Sequence, residues 1–337
     1  MRLSHYLPRR LFRLLPLDAL ERLAPRKVIV FCYHVVSDKP ISHVRHLYEH
    51  KGTAEFEADL LYLTKRYHLP TWPELLKNLS DRHFPQHPCA LVTFDDGMSQ
   101  CFDVVRPLLL KHRVPGVFFV CKDFVDNRSM FYRHKVSLCL EKLLCASASN
   151  QSALLQILGH AFGVQEFSLE GFSNWIKQLE RVNESSIDQA CALLGIDIEA
   201  ELQGGKPYLT SDQIRQLAAD GFIIGGHSLR HEHFWLLGES ALARNIVESC
   251  EFVTHLTGTA QSPFAFPFGS GSINRSFLAG IRERHRSVGL LFDTAGILTD
   301  APFVVNRILA DSPAGGPAGH SGVKWLTKAA YVENLCS

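Results

Sequence analysis

Short apolar runs recur along the chain, and each stops at polar or glycine-rich residues before a stretch with helical spacing. Lys27 to His34, Ala90 to Phe94, Gly116 to Val120, Phe222 to Gly226, Val288 to Phe292 and Phe303 to Leu309 have the length and composition of buried strands, and Phe264 to Gly269 reads as a strand entering a tight turn. Between them, Phe56, Leu60, Leu61, Leu63 and Tyr67 recur at helical spacing, Phe102 to His112 reads as a helix with Pro107 kinking it or marking a boundary, and Leu237 to Leu256 reads as another. Alternation of this kind predicts a parallel α/β architecture, in which ligands gather at the carboxyl ends of the strands. Two of those ends carry reactive side chains: Tyr33-His34 closes the first run and Asp95-Asp96-Gly97 the second. Adjacent residues on an extended strand point to opposite faces, so the two acids can take different roles once their charge is compensated. A metal ion is the obvious compensator.

The bulk numbers exclude several classes. With 337 residues the chain is long enough for one large α/β domain or a domain with an insertion. A net charge of +1 gives no sign of a polyanion-binding protein, so no nucleic acid is expected as a partner. Nine cysteines, odd in number and without a CxxC pair, read as reduced core thiols. No apolar run reaches the length of a membrane span. Residues 1–26 are basic and leucine-rich but lack the apolar core and cleavage site of a signal peptide. They read as a helix packed on the domain or as one lying on an anionic membrane surface. Either places the protein in the cytoplasm, in the second case at the inner face of the membrane. From about Ser129 to Gly205 leucine-rich helical patterns replace strand signals, which predicts a helical insertion. Thr210-Ser-Asp-Gln213 is a capping box for the helix that follows, with Gly221 suited to its end.

The compensating ligands come later in the chain. His227 and His231, four residues apart after a strand, can converge on one ion from a helical turn or from a loop. With one carboxylate from Asp95-Asp96 they make a two-His, one-carboxylate set that leaves a position open for water. In this order, Thr93-Phe94-Asp95-Asp96-Gly97, His227-Ser228-Leu229-Arg230-His231 and Phe264-Ala265-Phe266-Pro267-Phe268-Gly269 resemble the first three motifs of the polysaccharide deacetylases, the NodB-homology carbohydrate esterase family 4. The resemblance implies a distorted (β/α) barrel carrying a helical insertion. It also implies Asp95 as catalytic base, Asp96, His227 and His231 as metal ligands, and an oxyanion-binding turn at Pro267, Phe268 and Gly269. The divalent metal it implies is Zn2+, with Co2+ or Ni2+ as alternatives.

This sequence departs from the family pattern in three places. Ala265 stands where the family has an arginine that orients the base, and Arg307, on a late strand, is the candidate to replace it. The family's C-terminal Leu-x-His motif is not evident, and His34 and His320 compete for the general acid. Cys32-Tyr33-His34 resembles the Tyr-His motif of the exopolysaccharide-biosynthesis subgroup, and a strand end is a better-fixed platform than the Gly-rich loop around His320. The third departure is the long segment between the first two motifs.

The domains expected are therefore a basic helical segment over 1–26, a NodB-like domain over 27–128 and 206–310, a helical insertion over 129–205, and a Gly-rich loop with a final helix over 311–337. The expected activity is metal-dependent removal of N-acetyl groups from a sugar of a polysaccharide or lipid-linked glycan precursor, with a metal-bound water as nucleophile. The alternatives are a deformylase or other non-peptide amidase on the same scaffold, and a catalytically weakened carbohydrate-binding homologue. The partner expected is an N-acetylated glycan; the sequence is silent on oligomeric state. Asp103, Asp293 and Glu232 read as surface or capping residues. Trp235 reads either as a sugar-stacking residue or as core.

Overall fold

A computed structural model describes residues 9–81, 88–165, 167–271, 273–312 and 322–336. His320, one of the two candidate acids, lies outside them. The chain divides into two compact units: Met1–Asp38, His50–Val125 and Tyr208–Ser337 form the first, and Lys39–Glu49 with Asp126–Pro207 form the second.

The first unit opens with two short helices, α1 (Arg9–Leu14) and α2 (Leu17–Leu23), followed by strand β1 (Val28–Tyr33). Next come α3 (Thr53–Arg66), α4 (Trp72–Asp81), β2 (Cys89–Phe94), α5 (Arg106–His112) and β3 (Gly116–Val120). The second unit then supplies five helices: α6 (Tyr132–Leu144), α7 (Ala148–Phe162), α8 (Leu169–Gln178), α9 (Glu184–Leu193) and α10 (Ile198–Gly205). The first unit resumes with α11 (Ser211–Ala219), β4 (Ile223–Gly226), α12 (Glu239–Thr257), β5 (Ser262–Ala265), α13 (Arg275–Arg284), β6 (Val288–Asp293), β7 (Val304–Leu309) and α14 (Gly322–Cys336).

The seven strands form a closed parallel barrel in sequence order. β1 pairs with β2 along its full length and closes the barrel on β7, with Val30 opposite Arg307. Burial on both faces explains why the strands read as unbroken apolar runs rather than alternating ones. Inside, Val30, Leu91, Val117, Phe119, Ala265, Leu290 and Phe292 pack as one cluster. Along β2, Leu91, Thr93 and Asp95 share that inner face by the period of two, so the strand aims Asp95 into the carboxyl end of the barrel. Val92 and Phe94 face outward, where Phe94 stacks between Tyr33 and Phe118.

Two local features give detail to the sequence reading. The strand expected to enter a tight turn within Phe264 to Gly269 ends at Ala265, and the turn follows over Phe266 to Gly269. The helix after Asp95-Asp96 opens with a π turn, Cys101–Val105, and Pro107 then lies in the first turn of α5. Proline offers no N–H to an interior helical bond, and the wider turn accommodates it. The capping box forms as expected: Gln213 N–H donates to Thr210 Oγ1 at 3.2 Å and Thr210 N–H to Gln213 Oε1 at 2.9 Å. Just before it, Leu209 N–H donates to the Gly97 carbonyl at 2.8 Å, so this helix start also pins the turn after Asp96.

α1 and α2 both lie against α14, with Phe12, Leu17 and Leu20 buried. No helix of the described residues is long and apolar enough to cross a membrane. In the second unit, residues 39–49, part of the polar, histidine-rich stretch 35–53 that reads as a loop, join α6: Ser137 Oγ donates to the Ser42 carbonyl and His46 Nε2 lies 2.6 Å from Glu141. All nine cysteines are free, and seven are buried.

Candidate active site

Asp95 and Asp96 follow β2 and are both buried, yet their surroundings are opposite in kind. Asp95 is saturated. Arg307, fully buried on β7, donates from Nη1 to Oδ1 at 2.6 Å and from Nη2 to Oδ2 at 2.8 Å, a two-point ion pair. Cys32 Sγ donates to Oδ2 at 3.3 Å, burial having pushed its thiol pKa well up so that the proton stays. Burial alone would raise the Asp95 carboxyl pKa, but the Arg307 charge outweighs it and holds the group down at about 2. Arg307 is fixed in turn by Thr93 Oγ1 at 3.1 Å and the Asp293 carbonyl at 3.3 Å, and lies over the rings of Phe119 and Phe292. The structure thus brings Arg307 to the carboxylate from β7. Ala265, at the position where the family pattern has an arginine, is itself buried inside the barrel.

Asp96 is unsaturated. Its backbone turns into the left-handed region at φ 69°, which ends the strand and swings the carboxylate away from its neighbour. Its Oδ1 lies 3.1 Å from His231 Nε2 and 3.4 Å from His227 Nε2. His227 Nδ1 is 2.9 Å from the Ala265 carbonyl, which can only accept, so that nitrogen carries the proton. In the tautomer that this bond selects, His227 turns an unprotonated Nε2 toward Asp96 Oδ1, and neither atom has a hydrogen-bond partner. Two buried lone pairs facing each other repel unless a cation lies between them, and that is what this donor set fits. Burial pushes the His231 pKa below its ordinary value.

Among the described residues two groups have metal-ligand spacing: Asp96, His227 and His231, and Cys32, His34 and Asp95. The second already holds the Arg307 charge on both Asp95 oxygens, so a cation there would meet like charge. The first is the better candidate.

His227 and His231 converge from a loop, not a helix: residues 228–230 form a turn after β4. His231 N–H donates to Ser228 Oγ at 2.7 Å, and Ser228 and His231 both have left-handed φ, at 69° and 58°. Lys122 and Asp123 N–H groups tie the same turn to the end of β3 through the Ser228 and Leu229 carbonyls. Strained residues clustered on one loop are what a fixed ligand geometry costs.

His34 sits at the end of β1, with its ring about one-fifth exposed. Asp311 grips it twice, accepting from the backbone N–H at 2.7 Å and lying 2.6 Å from Nδ1. Burial would lower the His34 pKa, but Asp311 overcomes it and raises the value to about 10. Asp311 falls at the start of a Gly- and Pro-rich stretch, and no local signal marks it.

The Pro267-Phe268-Gly269 turn follows β5, and the Phe268 ring lies edge-on to His231 at 4.6 Å. Asp293 is buried rather than on the surface, and it caps this turn. Its Oδ1 accepts from the Ser270 and Thr294 N–H groups at 3.0 and 2.8 Å, and its Oδ2 accepts from Ser270 Oγ. A cavity of about 680 Å³ lies at the opposite end of the barrel, beside Trp72, Phe222 and Pro263, away from all of these residues.

The family described as polysaccharide deacetylase matches residues 84–290, more than half of the chain. No curated protein matches. Among solved structures, the Streptococcus pyogenes deacetylase PplD in complex with acetate is 14% identical with a TM-score of 0.55, over 90% of this chain and 99% of that one. IcaB from Ammonifex degensii is 20% identical with a TM-score of 0.53, over 90% and 97%. A de-N-acetylase from Aggregatibacter actinomycetemcomitans is 13% identical with a TM-score of 0.55, over 89% and 99%. At these identities the likeness speaks for the fold.

Removing Arg307 should leave Asp95 buried and unpaired. Arg307→Ala is expected to cost about 3–5 kcal/mol in urea unfolding at pH 7. The sign follows from the depressed carboxyl. The stabilisation is complete above the ordinary value of 3.8 and is lost as pH falls through about 2, so the deficit of the variant should shrink in acid.

Proposed function

The chain belongs to the polysaccharide deacetylase family and is thus a hydrolase of carbon–nitrogen bonds other than peptide bonds, and from that premise we propose that it removes N-acetyl groups from a sugar of a polysaccharide or lipid-linked glycan precursor. The observation that carries the reading is the divergence of two adjacent aspartates. One is saturated by an arginine, and the other is bare toward two imidazoles.

Asp96, His227 and His231 would hold a divalent cation, Zn2+ by donor type with Co2+ or Ni2+ as alternatives. When bound it supplies a Lewis acid, lowering the pKa of an adjacent water and polarising the acetamide carbonyl. Asp95, kept ionised and oriented by Arg307, accepts the proton as water adds to that carbonyl. Neither Arg307 nor the Cys32 thiol moves in this step, so the carboxylate is positioned in advance. A backbone N–H of the Pro267–Gly269 turn, held by Asp293, donates to the developing oxyanion. Collapse breaks the carbon–nitrogen bond and releases acetate and an amine. An amine anion is not a viable leaving group near neutral pH, so His34 donates a proton to the nitrogen as it departs. Asp311 keeps His34 protonated well above the ordinary histidine value, which supports the choice of His34 as acid.

The test is acetate release from N-acetylhexosamine oligomers and lipid-linked glycans, with bound metal measured in parallel. Asp95→Asn should lower turnover by at least about a thousandfold with metal content retained. His227→Ala should lose both turnover and metal. Full turnover in Asp95→Asn would overturn the mechanism.

The acid has its own signature in pH. A general acid works while protonated, so the alkaline limb of kcat should lie near the His34 value of about 10. In Asp311→Asn the limb should move down toward 6.5, the ordinary value of histidine. The stability this pair contributes runs the same way, complete below 6.5 and lost as pH rises through about 10. An alkaline limb that does not move in Asp311→Asn would remove His34 from the acid role.

A further inference from the structure

Trp235 and Phe268, in the segments after β4 and β5, are large and apolar yet stay in contact with solvent, 49% and 37% exposed. They are held firmly. His233 lies flat on Phe268, with ring centroids 3.9 Å apart and planes 5° from parallel. Trp235 rests on His233 at 4.7 Å and meets Phe268 at 6.2 Å. The short helical turn Phe234–Leu236 that carries Trp235 is anchored by Phe234, buried against Phe264 and Phe266. At the other side of the cluster, Phe268 touches the ring of His231. The result is an exposed aromatic surface, continuous with the candidate metal centre and fixed before any ligand arrives.

A fixed indole binds with little loss of conformational freedom, and its face takes an apolar partner while its edges stay wet. A pyranose ring is such a partner, with C–H bonds on its face and hydroxyls around its rim. Trp235 is two ring contacts from His231, by way of Phe268, so it meets a sugar other than the one whose acetamide reaches Asp96 and His231. Resting on the deacetylase reading, we propose that Trp235, supported by His233 and Phe268, is a stacking platform for a neighbouring sugar ring, and that it makes the site favour oligomeric over monomeric N-acetylated substrate.

The test compares kcat/KM for N-acetylglucosamine tetramers, in β-1,4 and β-1,6 linkage, with that for free N-acetylglucosamine. In Trp235→Ala the advantage of tetramer over monomer should fall about tenfold, the size of one aromatic stacking contact. The loss should lie in KM with bound metal unaltered, and Trp235→Phe should restore most of it. An unchanged tetramer-to-monomer ratio would overturn the proposal. So would a fall in kcat together with loss of metal, which would make the cluster a prop for His231. Loss of cosedimentation with phospholipid vesicles at an unchanged ratio would assign the patch to a lipid surface and also overturn it. If the wild-type protein releases no acetate, the deacetylase reading fails by itself, and stacking is then read by tryptophan fluorescence titrated with the tetramers. A saturable change seen in the wild type and absent from Trp235→Ala supports the platform, and its absence from the wild type refutes it.

Discussion

Two carboxylates side by side in a buried pocket cannot both stay ionised without compensation, and the two-point ion pair between Arg307 and Asp95 resolves half of that problem. It commits one positive charge to one aspartate and leaves the other to find a different cation. The geometry enforces the division, because Asp95 keeps the direction of its strand while Asp96 turns to a left-handed φ of 69°. The proposed base is therefore fixed by the protein itself, and the bare Asp96–His227 pair is the place the proposal gives to an ion. Without Arg307 both acids would compete for one metal, and the distinction between ligand and base would be lost.

The barrel makes this division cheap to maintain. Arg307 is opposite Val30 on the strand that closes the barrel, so its guanidinium crosses the interior along Phe119 and Phe292 rather than through solvent. Aromatic faces tolerate a guanidinium better than aliphatic packing would. Ala265 contributes by its smallness and by its carbonyl, which fixes the His227 tautomer. Gly225 has a similar role next door: a Cβ there would lie 2.3 Å from the Phe119 ring. Positive φ at Ser228, His231 and Phe268 shows the barrel holding its carboxyl-end loops in conformations they would not choose alone.

Much of this was legible in the sequence where the signal is local. Strand runs, the capping box at Thr210 and the adjacent acids of Asp95-Asp96 are written in contiguous residues, and the seven strands fall close to where their apolar runs predict. What was hidden is non-local. Asp311 holds His34 across most of the chain length, and nothing in its Gly- and Pro-rich surroundings signals a buried partner. Asp293 reads as an ordinary capping acid because its partners, Ser270 and the turn before it, belong to another strand end. The Cys32 thiol on Asp95 depends on the register of β1 against β2, which no single segment encodes. Arg307 was accessible only as an inference of need: a buried base requires a fixed partner, and a basic residue on a late strand was the one available to supply it. Residues 39–49 read as polar loop because their contacts are with α6, far along the chain.

The division of roles between the two aspartates is tested most directly by anomalous diffraction from crystals of the protein soaked with Zn2+. The account predicts one ion at roughly 2.0–2.2 Å from an Asp96 oxygen and from His227 Nε2, with His231 as third ligand. Asp95 should remain doubly bonded to Arg307 and off the metal. An ion bound through Asp95, or an Arg307 side chain displaced from it, would contradict the account.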